Sequence, residues 1–213
     1  MTEIFLIRHG ETAWNAERRL QGHLDIPLNE EGMRQAAALA RALAGESIDA
    51  IFSSDLSRAG STAQAVAELH GLPLHTDPAL RERCFGAFEG LLYAELEARY
   101  PEAHAQWRDR DPHARYPDGE RRADTFTEFA QRAVRAVCRI AETQRGKRIV
   151  IVSHGGVLDC VYRAAHGMDI SAPRNFDVLN ASIHRIRWDG ERLHVLRWSD
   201  DSHLSAALDE LGN

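Results

Sequence analysis

The segment Lys147-Arg-Ile-Val-Ile-Val-Ser-His-Gly-Gly156 contains the strongest apolar run of the chain and decides the fold class. Its four β-branched residues, Ile149 to Val152, predict a strand that is buried on both faces of a sheet. The glycines that follow predict a turn into a helix over residues 155–166. A strand of this kind leading into a helix is typical of α/β proteins with a parallel sheet.

Strands and helices alternate on both sides of this segment. The predicted strands are residues 3–7, 49–52, 147–153, 182–188 and 192–198, and the predicted helices are residues 29–45, 57–70, 124–144 and 155–166. This order predicts a three-layer α/β/α sandwich with a mostly parallel central sheet. Asp189-Gly190 predicts a hairpin turn that pairs Ile186 with Leu193 and Ile183 with Leu196. Helical spacing in the first helix predicts a core face made of Met33, Ala36, Ala37, Ala40 and Leu43.

Residues 83–122 differ from the rest of the chain in composition. The wider stretch from residue 78 to 123 holds four of the seven prolines and many charges. We therefore expect a single domain over residues 1–213 with a small helical or irregular lobe inserted at about 83–122. Within this lobe, Trp107 and Tyr116 either line a substrate pocket or pack the lobe.

Composition and charge exclude several classes of function. The chain has 213 residues, 44% of them hydrophobic, and a formal net charge of −6. This composition buries a core, and the negative charge argues against nucleic acid and anionic membranes as partners. Cys84, Cys138 and Cys160 are too far apart for a disulfide framework or a zinc site. With no apolar run of membrane-spanning length, we expect a cytoplasmic protein.

Two histidines occupy matching positions at the ends of predicted strands. His9 follows the strand of residues 3–7, His154 follows the strand of residues 147–153, and a glycine comes after each. One such histidine alone would be expected only to cap its strand. Two of them at the same edge of a parallel sheet, with Arg8 beside one, predict a site.

The neighbouring charges favour an oxyanion over a metal ion. Glu11, Asp55 and Asp159 could complete a metal site, but Arg8 and Arg58 would place positive charge beside the metal. Guanidinium groups bind phosphate oxygens bidentately, and a neutral imidazole is a nucleophile toward phosphorus. A second, protonated histidine would donate to the phosphate oxygens, and a protonated carboxylic acid would serve the leaving group.

Four segments, in this order, resemble the motifs of the histidine phosphatase superfamily, also called the phosphoglycerate-mutase-like family. The first is Leu6-Ile-Arg-His-Gly-Glu-Thr12 with Asn15, Arg19-Leu-Gln-Gly22 and Asp25-Ile-Pro-Leu28 downstream. The others are Ser53-Ser-Asp-Leu-Ser-Arg-Ala59, Leu80-Arg-Glu-Arg-Cys-Phe-Gly-Ala-Phe-Glu-Gly90 and Ser153-His-Gly-Gly156. The resemblance covers nearly the whole chain.

The resemblance implies a role for each matching residue. His9 would be the nucleophile that becomes a phosphohistidine, and Glu82 would protonate the leaving group. Arg8, Arg58 and His154 would complete a catalytic phosphate pocket. Further substrate-binding residues would be Asn15, Gln21, Gly22 and Gly155. No metal or other cofactor is implied.

The motifs leave two kinds of enzyme open. The segment after Glu82, residues 83–90, is closer to the phosphatase branch than to the mutases, with Phe88 where that branch has tryptophan. We therefore expect hydrolysis of a small phosphorylated metabolite. The alternatives are a 2,3-bisphosphoglycerate-dependent phosphoglycerate mutase, which would need that bisphosphate as primer, and a non-catalytic phosphoester-binding protein. The oligomeric state stays open, a homodimer included.

Overall fold

The structure is a computed structural model that describes residues 1–204 and contains a six-stranded sheet. The strands are β1 (Thr2–Arg8), β2 (Ala50–Ser53), β3 (Leu74–Thr76), β4 (Arg148–Ser153), β5 (Ile183–Trp188) and β6 (Leu193–Asp200). Their order across the sheet is β3-β2-β4-β1-β5-β6. The first four strands run parallel, and β5 runs antiparallel to β1 and to β6. The sheet is therefore mixed, with the parallel part that the sequence predicts.

Helices cover both faces of the sheet, which confirms the predicted α/β fold. They are α1 (Ala13–Ala16), α2 (Glu30–Leu43), α3 (Ser57–His70), α4 (Leu96–Arg99), α5 (Pro101–Arg108), α6 (Phe126–Thr143) and α7 (Gly155–His166). Within residues 1–204, none of these helices is long and apolar enough to cross a membrane.

The central strand β1 is buried on both faces. Phe5 and Ile7 pack in one apolar cluster with residues of α2 and α3. Ile4 and Leu6 point to the opposite face and pack in a second cluster with residues of α6 and α7. Because successive side chains of a strand alternate between faces, a continuous apolar run is required to fill both cores.

The face that α2 buries differs from the prediction. Met33 is 58% exposed and Ala37 is also exposed, whereas Leu39 is buried. Gly32 faces the protein because its Cα lies against the loop of Glu11, where an added Cβ would come within 2.0 Å of the Glu11 carbonyl oxygen. Helical geometry then turns the next residue, Met33, toward solvent.

The hairpin register also differs from the prediction. Trp188 pairs with Leu193, Ile186 with Val195 and Ile183 with Asp200. The predicted two-residue turn is wrong, because four residues, 189–192, connect the strands. The Asp189 carboxylate accepts the backbone amides at positions 191 and 192, both at 2.8 Å, and this side-chain cap holds the wider turn.

Residues 83–122 form short helical turns beside the sandwich. Two single 3₁₀ turns, α4 and α5 lie in this segment. They share a small apolar cluster in which Tyr116, 3% exposed, stacks on Phe88 with ring centroids 4.6 Å apart. Tyr116 and Trp107 also line the cavity described below. Their packing in the lobe is therefore confirmed, and a contact with substrate stays a prediction.

Candidate active site

The parallel pairing of β1 with β4 brings the two predicted histidines together. Arg8 is in register with Ser153, the residue before His154. The rings of His9 and His154 lie at the carboxyl ends of these strands, with centroids 5.1 Å apart and planes inclined by 61°. Both side chains are buried. The prediction that these two residues meet at one sheet edge is therefore correct.

His9 is held in one tautomer by its own loop. Its Nδ1 lies 2.6 Å from the carbonyl oxygen of Gly10, so Nδ1 carries the proton and donates it. Burial, followed by the charges of Arg58 and Arg8, holds the pKa of His9 well below its usual range. The imidazole is therefore neutral at pH 7, and its Nε2 keeps a lone pair.

Arg58 supplies a buried positive charge from the first turn of α3. Its side chain is 1% exposed, and its two terminal nitrogens donate to the carbonyls of Gly22, at 2.8 Å, and Leu24, at 2.9 Å. Burial lowers the pKa of Arg58 to about 10, so it remains charged at neutral pH. Gly22 therefore contributes to the site through its backbone oxygen.

Several buried nitrogens of the site lack a hydrogen-bond partner among residues 1–204. They are Nε of Arg8, Nε of Arg58 and both ring nitrogens of His154. Buried donors are nearly always paired in folded proteins. An oxyanion with several acceptor oxygens, such as a phosphoryl group, fits this set of donors.

The surroundings of His154 in the protein alone disfavour its protonated form. Burial and then the charges of Arg58, His9 and Arg8 hold the pKa of His154 well below its usual range. A neutral imidazole still offers one N–H to a phosphate oxygen. The negative charge of a phosphoryl group between the two arginines would raise this pKa again.

The side chain of Glu82 lies at the amino end of α7, the helix that begins directly after His154. Its Oε2 accepts the amide of Gly156 at 2.9 Å, and its Oε1 accepts the amide of Arg83 at 2.9 Å. A Cβ at Gly156 would come within 2.1 Å of Oε1, so only glycine allows this approach. Each oxygen keeps a second lone pair, which can carry a proton.

Residues that sequence reasoning missed hold the backbone around Glu82. Arg132 donates to the carbonyl of Glu82 at 3.0 Å, and Nε2 of His23 lies 2.8 Å from the same oxygen. Oε1 of Glu89 accepts the amides of His23 and Phe85. Glu89 belongs to the motif quoted above, which is the one signal that could have indicated its role.

The remaining predicted binding residues surround the loop of His9. The backbone amide of Thr12 donates to Oδ1 of Asn15 at 3.1 Å, and the hydroxyl of Thr12 donates to Oε1 of Gln21 at 3.0 Å. Asn180 donates to the carbonyl of His9 at 3.0 Å, across the corner of the site. Gly155 lies under Arg8, where an added Cβ would be 3.4 Å from Nε. The structure thus brings these residues to the site, and their contacts with substrate stay a prediction.

A cavity of about 500 Å³ opens at this site. Arg8, Glu82 and Gly155, which are among the predicted site residues, form part of its wall. The outer wall contains Arg83, Phe85, Tyr93, Trp107, Arg110, Asp111, Tyr116, Phe126, Asp159 and Arg174. A leaving group bound here would meet aromatic rings and arginines. No group of three or more His, Cys, Asp or Glu side chains within residues 1–204 is placed to hold a metal ion.

Comparisons with known proteins agree with this geometry. The model of the histidine phosphatase superfamily, branch 1, matches residues 4–201. Phosphoglycerate mutase-like protein 4 of Arabidopsis thaliana is 40% identical over 205 residues, which cover 95% of this chain and 86% of the relative. Metal-independent phosphoserine phosphatase of the same plant is 36% identical over 208 residues, covering 97% and 84%.

A solved structure shows the same fold. YhfR of Bacillus stearothermophilus superposes with a TM-score of 0.87 at 33% identity, covering 96% of this chain and all of that one. The predicted family, the predicted fold and the prediction of an enzyme for phosphomonoester hydrolysis are confirmed by these relatives. This protein belongs to the histidine phosphatase superfamily, branch 1.

Proposed function

We propose that the protein hydrolyses a small phosphomonoester in two steps, through a phosphohistidine at Nε2 of His9. The observation that supports this assignment is the environment of His9. Its Nδ1 is occupied by the Gly10 carbonyl, and positive charges from Arg8 and Arg58 lie beside the imidazole. A nucleophile with a free lone pair thus faces a cationic pocket.

In the first step, the Nε2 lone pair of His9 forms a bond to phosphorus, and the bond from phosphorus to the ester oxygen breaks. Arg8, Arg58 and an N–H of His154 hold the three remaining phosphoryl oxygens, whose charge they balance. The ester oxygen takes a proton from the Glu82 carboxylic acid and leaves as an alcohol.

In the second step, water attacks the phosphohistidine, and the ionised Glu82 accepts a proton from it. The bond between phosphorus and Nε2 breaks, inorganic phosphate leaves, and His9 and Glu82 return to their starting states. In this scheme the arginines provide the charge that a metal ion provides in other phosphoryl transferases. The relative named a metal-independent phosphoserine phosphatase is consistent with such chemistry.

Product analysis distinguishes hydrolysis from the mutase alternative. We expect release of inorganic phosphate from 3-phosphoglycerate and p-nitrophenyl phosphate, because the cavity beside Glu82 admits water. The measurement follows phosphate release and phosphoglycerate isomerisation in the same reaction, once with 2,3-bisphosphoglycerate and once without it. Efficient conversion of 3- to 2-phosphoglycerate with little free phosphate would instead assign the protein to the mutases.

Positive charge on the outer cavity wall supports a substrate whose leaving group is also anionic. Asp159 is paired with the fully buried Arg163 at 2.8 Å and lies 3.8 Å from Arg110. Arg174 lines the same cavity as Arg8 and Arg110, and its charge lowers the pKa of each. Two carboxylates, Asp111 and Asp159, thus face the three arginines of the outer wall, and Asp159 is already paired with Arg163. A substrate carboxylate would balance the remaining positive charge.

Arg174→Gln tests this substrate class. We expect kcat/KM for phosphoserine and 3-phosphoglycerate to fall by about 10- to 100-fold, as for loss of one charged hydrogen bond. The value for p-nitrophenyl phosphate, which has no second anion, should change by less than about threefold. Arg192→Gln, in the hairpin turn, is the matched control. Equal losses for both kinds of substrate would contradict the proposal.

A further inference from the structure

The loop of residues 177–182 holds two residues of the phosphate pocket in place. The Val178 carbonyl accepts a terminal nitrogen of Arg8 at 2.6 Å. The amide of Ala181 donates to the carbonyl of Arg8 at 3.0 Å and to that of His9 at 3.2 Å. Asn180 adds its side-chain bond to His9. The position of this loop therefore sets the position of the Arg8 guanidinium and of the His9 backbone.

The β5–β6 hairpin fixes the same loop from its other side. The Ser182 hydroxyl lies 2.6 Å from the Leu179 carbonyl and 2.9 Å from Nε2 of His184. Nε1 of Trp198 donates to the carbonyl of Asp177 at 2.9 Å. His184 is fully buried, and its ring packs against Trp198 with centroids 3.9 Å apart.

Hydrogen-bond directions in this chain of contacts are determined by one backbone amide. The amide of Ser199 donates to Nδ1 of His184 at 2.9 Å, so Nδ1 is the acceptor nitrogen. Nε2 then carries the proton and donates to the Ser182 hydroxyl. Within residues 1–204, the acceptor of that hydroxyl is the Leu179 carbonyl, so its proton points into the loop. The relay thus connects the hairpin to the loop through one directed series of hydrogen bonds.

We propose that His184 is a positioning residue for phosphate binding, acting through Ser182 and the loop of residues 177–182 on Arg8 and His9. It touches none of the reacting groups itself. This inference rests on the proposed function, because it assumes that Arg8 and His9 form the phosphate pocket. A leucine at position 184 would fill the core but would leave the Ser199 amide without its acceptor and the Ser182 hydroxyl without its donor.

Phosphate affinity tests this role without requiring turnover. The variants are Ser182→Ala, which removes only the bridging hydroxyl, and His184→Leu, which removes both ring contacts. His194→Gln is the control, because His194 lies on the same hairpin and bonds Asp189 at its turn. We would titrate each protein with inorganic phosphate by calorimetry at 25 °C and measure its melting temperature and its kinetics with p-nitrophenyl phosphate.

We expect Ser182→Ala to weaken phosphate binding by about 10-fold and to raise KM, with kcat reduced less. The reason is that Arg8 would be displaced in the substrate complex and in the transition state by the same amount. His184→Leu should show the same pattern more strongly, and the control should bind as the wild type does. Unchanged phosphate affinity in Ser182→Ala would overturn the positioning role, even if His184→Leu fails to fold. A wild-type protein that binds phosphate but hydrolyses no ester would refute the proposed function separately.

Discussion

His9→Ala is expected to abolish measurable hydrolysis, with kcat reduced by roughly 10⁴- to 10⁶-fold, as for removal of an enzyme nucleophile. The effect is this large because, in the proposed mechanism, Nε2 of His9 forms the bond to phosphorus. His154 cannot replace His9, because it lies at the end of β4, the strand beside β1, and its ring centroid is 5.1 Å from that of His9. The measurement is release of p-nitrophenolate and of inorganic phosphate at matched enzyme concentrations.

The intermediate itself provides the second readout for His9. Rapid quenching during turnover of a labelled substrate should leave the phosphoryl label on the wild-type protein. The label should be stable in base and lost in acid, as a bond between phosphorus and nitrogen requires. The control is His75→Ala, because His75 is an exposed histidine on the edge strand β3. This variant should keep both the label and the activity. Turnover retained in His9→Ala would refute the mechanism.

Glu82→Gln should produce a loss that depends on the leaving group. For alkyl phosphates such as phosphoserine, we expect kcat/KM, which reports only the first step, to fall by about 10²- to 10⁴-fold, the usual range for removal of a general acid. For p-nitrophenyl phosphate the loss in kcat/KM should be much smaller, because p-nitrophenolate departs without a proton. The measurement is a plot of log kcat/KM against the pKa of the leaving alcohol, which should be steeper for the variant.

Gly156→Ala should reproduce this pattern without removing the carboxyl group. Its added Cβ would meet Glu82 Oε1 at 2.1 Å and the Phe129 ring at 3.0 Å, so Glu82 must move. Gly60→Ala, in α3, is the matched control because nothing lies within 4 Å of its added Cβ. If Glu82→Gln reduces kcat/KM of all esters equally, Glu82 does not act as the acid.

Much of the sandwich follows from local sequence. The predicted helix over residues 57–70 matches α3, and Gly71 ends it in the left-handed conformation, with φ of 63°. The predicted helix over residues 124–144 is α6, which begins after a Thr125–Glu128 capping box. These features are predictable because helix periodicity and end signals depend on neighbours within a few residues.

The departures from prediction have tertiary or side-chain causes. The hairpin register was wrong because the Asp189 carboxylate caps a wider turn. The spacing of Met33 fits the apolar stripe and so predicts a core position. The contact of Gly32 with the Glu11 backbone instead turns Met33 toward solvent. The short edge strand β3 was not predicted, since three residues carry too little pattern to identify a strand.

The sequence by itself determined the family and the set of residues proposed to form the phosphate pocket. Matching histidines after two apolar strands must meet when those strands pair in parallel, and the motifs add Arg8 and Arg58. Only the tertiary structure decided how the pocket is held. Glu82 is oriented by the Gly156 amide, 74 positions away, and the His9 carbonyl by Asn180, 171 positions away. Contacts between such distant residues depend on the packing of whole elements, which local periodicity does not encode.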